Sequence, residues 1–86
     1  MIRDEFILRR IPGINLVIAT GRAMKDFDGA LILNDTGAFI FELLKRGLSL
    51  EAAAEELTER FDVGFEEAGQ DISEVYRSLK EAGVAD

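Results

Sequence analysis

The chain has 86 residues, 48% of them hydrophobic, with six Phe, no Cys, no His and a formal net charge of −7. That length holds one core of barely sufficient size, so residues 1–86 read as a single domain. Without Cys or His, disulfides, thiol nucleophiles, imidazole bases and most zinc or haem ligands are excluded, and no cofactor or metal is expected.

Charged residues begin at Arg3 and no apolar run approaches the roughly 20 residues of a membrane span, so neither a signal peptide nor an anchor is expected. A cytoplasmic location follows. Residues 1–33 carry five basic against four acidic side chains, whereas residues 34–86 carry five against thirteen. An acidic second half repels a phosphate backbone.

Phe6-Ile7-Leu8-Arg9-Arg10-Ile11 reads as a strand. Pro12-Gly13, with Asn15 after it, supplies turn chemistry before a second β-rich run, Leu16-Val17-Ile18-Ala19-Thr20. The two form a hairpin. Residues 21–29 read as a polar connection, and Ala30-Leu31-Ile32-Leu33 as a third strand running into a helix. Asp26-Phe27-Asp28-Gly29 is similar to part of a calcium loop, but the EF-hand spacing of Gly and Glu is missing, so a turn is the better reading.

Asn34 can cap the first helix and Asp35 suits its positive end. Ala38, Phe39, Ile40, Phe41, Leu43 and Leu44 make that helix apolar on nearly every side, so the rest of the protein should wrap it. Gly47 ends it. Ser49 caps a second helix with Leu50, Ala53, Ala54, Leu57 and Phe61 at helical spacing. A third helix spans about 65–82, with Ala68, Ile72, Val75, Leu79 and Ala82 as a core stripe. The fold class is therefore α+β, a three-stranded antiparallel sheet followed by three helices, as in a winged helix-turn-helix. A looser α+β domain, with the third run as extended loop, is the alternative.

Several stretches together resemble the PqqD family, named for coenzyme PQQ synthesis protein D and also called the RiPP recognition element. They are Phe6-Ile7-Leu8-Arg9, Asp26-Phe27-Asp28-Gly29, Leu33-Asn34-Asp35-Thr36-Gly37-Ala38 through Glu42-Leu43-Leu44, Phe61-Asp62-Val63, and Leu79-Lys80-Glu81-Ala82-Gly83-Val84. The resemblance implies a non-catalytic peptide chaperone. Such a domain binds the leader segment of a ribosomally made precursor peptide and presents it to a modifying enzyme, often a radical S-adenosylmethionine protein, in PQQ or other RiPP biosynthesis. It also implies that the leader adds as a strand to the third strand, with side chains in a groove beside the third helix. Gly64 and Gly69 depart from the family pattern and weaken the start of that helix.

On the third helix Gly69, Ser73, Tyr76 and Lys80 recur at i, i+4, i+7 and i+11 along one flank of the core stripe, a plausible groove wall. The expected peptide contacts are Ala30, Leu31, Ile32 and Leu33 on the strand and Gly69, Ile72, Ser73, Tyr76 and Lys80 on the helix. Catalysis by paired carboxylates needs a desolvated pocket that so short a chain hardly provides. Winged-helix DNA binding is opposed by the acidic helices, and a homodimer through edge-strand pairing is compatible with leader binding.

Overall fold

The computed structural model describes residues 1–27 and 29–86, leaving Asp28 of the Asp26-Phe27-Asp28-Gly29 turn outside the described residues. Strand β1 (Phe6–Ile11) turns through Pro12-Gly13 into β2 (Ile14–Ala19), with Ile11 opposite Ile14. Gly13 takes φ +81°, a left-handed conformation that proline before it and glycine at this position allow at little strain. Strand β3 (Ala30–Leu33) pairs with β2, giving an antiparallel sheet of order β1-β2-β3.

Alternation then sorts the side chains. Phe6, Leu8, Val17, Leu31 and Leu33 face the helices and join the core. Ile7, Ile11, Ile14, Leu16, Ile18 and Ile32, interrupted by Arg9, occupy the opposite face, outside that core.

The connection after β2 is more ordered than a polar loop. Gly21–Lys25 forms a 3₁₀ helix that buries Ala23, whose N–H donates to Glu5 Oε2 at 3.2 Å. Phe27 then sets its ring edge-on to Phe6, with centroids 5.0 Å apart. A single inward alanine in a polar segment left no periodic trace from which to read this element.

Helix α1 (Asp35–Lys45) starts as expected, with Asn34 Oδ1 accepting the Gly37 N–H at 2.7 Å. A Cβ at Gly37 would stand 3.1 Å from that Asn34 oxygen and 3.4 Å from Leu33 Cβ, so a larger residue there would press on the cap and on the strand exit. Ala38, Ile40, Phe41, Leu43 and Leu44 are buried, and the apolar helix is wrapped. Helix α2 (Leu50–Arg60) is capped by Ser49 Oγ on the Ala52 N–H at 3.1 Å and buries Ala53, Ala54 and Leu57. Phe61 beyond it meets Phe39 edge-on at 5.7 Å.

Helix α3 (Phe65–Glu81) begins at Gly64 with no side-chain cap and buries Ala68, Ile72 and Leu79. The two ends of the chain meet, Ile2 bridging Ala85 and the Arg3 N–H donating to Val84 O at 2.9 Å.

Candidate peptide-binding site

In an antiparallel ladder, alternate residues turn both backbone groups toward one neighbour. Glu5 O accepts the Thr20 N–H at 2.7 Å, which fixes the phase: odd-numbered residues of β1 face β2, and odd-numbered residues of β2 face β3. Leu31 and Leu33 therefore pair with β2, while Ala30 and Ile32 each turn an N–H and a C=O outward along an open edge. Ile32 is 70% exposed. Leu31 and Leu33 are half-buried, with side chains toward the core.

The end of this edge is held by a buried polar residue that turn chemistry alone did not single out. Asn15, 8% exposed, donates from Nδ2 to Leu33 O at 3.1 Å and to Asp35 Oδ1 at 2.9 Å. Arg10 Nη1 donates to Asn15 Oδ1 at 3.4 Å, and Arg10 Nη2 reaches Glu42 Oε1 at 2.5 Å. This chain ties the exit of β3 to the first turn of α1 and keeps the edge at a fixed distance from the helices. Its only sequence sign was a polar residue at an inward position of an apolar strand.

A cavity of ≈ 230 Å³ lies where β3 gives way to α1, lined by Asn34, Thr36 and Ile40 on one side and by Asp71, Glu74 and Val75 of α3 on the other. Its charged side chains are carboxylates. Such a lining suits a side chain with an apolar stem and a cationic head.

The helix residues expected to line the groove fall in three places. Ile72 is fully buried and belongs to the core rather than to any surface. Gly69 and Ser73 border a separate, shallow cavity of ≈ 510 Å³ with Phe65, Glu66, Gln70 and Arg77, none of them from β3. Tyr76 packs its ring on the core, donates its hydroxyl to Asp86 O and carries Lys80 Nζ 5.5 Å from its ring centroid. Spacing identifies two flanks of a core stripe. The flank with Gly69 and Ser73 lines the one cavity, and the flank with Asp71 and Val75 lines the other, at the start of α1.

Comparison with known proteins agrees with this architecture. The family model for coenzyme PQQ synthesis protein D matches residues 22–85. A search of curated proteins finds no match. Among solved structures, one described as lasso peptide synthetase B1 complexed with the leader peptide is similar at 30% identity and a TM-score of 0.76, over 96% of this chain and 92% of that one. Another, TbiB1 in complex with the TbiA(beta) leader peptide, shares the fold at 17% identity and a TM-score of 0.76, over 96% and 91%. With a family match across three helices and the third strand, and a 30% identical relative along nearly its whole length, the chain belongs to the PqqD family.

Proposed function

We propose that this domain is a non-catalytic chaperone that binds the leader of a ribosomally synthesised precursor peptide as a fourth strand on β3 and presents it to a peptide-modifying enzyme. The observation that carries the reading is the open edge at Ala30 and Ile32 beside a small cavity framed by α1 and α3. An unpaired edge of this kind is a ready acceptor for an extended chain. Its support outside this chain is that both similar structures are described as complexes with leader peptides. The modifying enzyme is a radical S-adenosylmethionine protein or another enzyme acting on the same precursor, in the PQQ pathway or a related one. Exposed carboxylates on α3, Glu66, Glu67 and Glu74 among them, argue against a nucleic-acid partner.

Calorimetry with peptides from short reading frames beside the gene tests the reading, using Ile32→Pro as the control. Proline removes an outward N–H that no strand of the domain uses, and edge positions tolerate it. The variant should fold and lose binding by about tenfold or more. If no such peptide binds, or if Ile32→Pro binds as well as the parent, the strand-addition reading is wrong.

A further inference from the structure

The sheet has a second open edge, on β1. The ladder phase that turns Ala30 and Ile32 outward on β3 also turns Phe6, Leu8 and Arg10 outward on β1. Phe6 is already used, since its N–H donates to Arg3 O at 3.1 Å and its C=O accepts Lys45 Nζ at 2.7 Å. Lys45 also donates to the carbonyls of Arg3 and Asp4, and so closes the edge at its start. Leu8 and Arg10 remain, with no backbone partner on that side among the described residues.

Between this edge and α1 runs a cavity of ≈ 560 Å³, lined by apolar Ile7, Leu8 and Phe41 and by Arg10, Lys45 and Arg46. Glu42 is the one carboxylate in the lining, and Arg10 pairs with it. Arg46 is exposed and, among the described residues, pairs with no carboxylate. A basic groove with an apolar lining thus sits in a protein whose net charge is −7.

We propose that the β1 edge is a second strand-acceptor site, which takes an acidic, extended segment of a partner protein, independently of the peptide taken on β3. Open backbone groups ask for an extended chain, the lining of Leu8 and Phe41 for an apolar side chain, and Arg46 in the same lining for a carboxylate two residues along, on the same face of the added strand. A second copy of this chain does not supply such a segment. Its strands, FILRRI, INLVIA and ALIL, contain no acidic residue, and pairing β1 with β1 would bring Arg9 and Arg10 against their counterparts. The proposal does not rest on leader binding.

The test uses the full chain labelled with ¹⁵N and a synthetic peptide of Thr-Val-Thr-Glu repeats, which puts Val and Glu on one face of a strand, beside a counterpart with Lys in place of Glu. The acidic peptide should shift the amide signals of Leu8 and Arg10 and leave those of Ala30 and Ile32 unmoved. Methylating alternate backbone nitrogens of the peptide should abolish the shifts, an effect that charge attraction alone would not produce. Arg46→Gln, at an exposed position outside the ladder, should weaken binding by about three- to fivefold. The proposal is overturned if nothing shifts at roughly millimolar peptide, if the Lys peptide binds as well, or if the shifts fall on β3 instead.

Discussion

Two glycines on helices, 37 and 69, should respond oppositely to alanine, and the contrast tests both the packing at the start of α1 and the position of the groove. At Gly69, in the interior of α3, an added Cβ meets nothing within 4 Å, so the gain is the helix propensity of Ala over Gly, about 0.5–1 kcal/mol. For a domain of this size that corresponds to a rise in Tm of about 4–8 °C per kcal/mol. At Gly37 the same propensity gain is opposed by contacts of 3.1 Å to Asn34 Oδ1 and 3.4 Å to Leu33 Cβ. Relieving the first needs Asn34 to give by a few tenths of an ångström, which strains an N-cap worth about 1 kcal/mol and presses on the exit of β3. Gly37→Ala should therefore be destabilised overall and Gly69→Ala stabilised, as read by thermal and urea denaturation of each variant against the parent. Because Gly69 borders a cavity separate from the one at the start of α1, its variant should also bind peptide with unchanged affinity. A loss of affinity with a gain in stability would return the groove to the Gly69 and Ser73 face and refute the placement argued here. A stabilised Gly37→Ala would refute the account of the cap.

Lys45→Met removes a cation that three carbonyls share, at 2.7–3.3 Å, and should lower stability by about 1–2 kcal/mol in chemical denaturation. Asn15→Ala leaves Leu33 O and Asp35 without their shared donor and should cost about 1–3 kcal/mol. It should also speed amide hydrogen exchange in β3 more than in α2. Replacing both Asp71 and Glu74 by their amides should selectively weaken peptides that carry a Lys or Arg beside the cavity, and the salt dependence of their binding should flatten.

The elements themselves were legible because each has a local cause. β1, β3 and the three helices fall where β-branched runs, caps and the 3.6-residue period place them, and Asn34, Ser49 and Gly47 mark boundaries by chemistry that acts within a few residues. An open sheet edge was legible too, since two linked strands and a third leave few ways to order a small sheet, and the family resemblance pointed to the third strand. The wall of the groove was not. Gly69, Ser73, Tyr76 and Lys80 and the opposite flank with Asp71 and Val75 look alike in a helical projection, and only the crossing of α3 over the sheet decides between them. Asn15 escaped for a different reason. A polar side chain beside a turn is ordinary, and its value here comes from Leu33 and Asp35, 18 and 20 residues away.

The outer surface of the sheet has a practical consequence for anyone handling the protein. Ile7, Ile11, Ile14, Leu16, Ile18 and Ile32 present an oily plane on which, among the described residues of the strands, Arg9 is the sole ionised group, and Ile11, Ile14 and Ile32 stand exposed. At neutral pH mutual repulsion between anionic molecules keeps such planes apart. Near the isoelectric point of about 4.5 that repulsion vanishes while the aliphatic plane stays as sticky as before. Buffers near that pH are thus where the protein should cloud and precipitate while still folded.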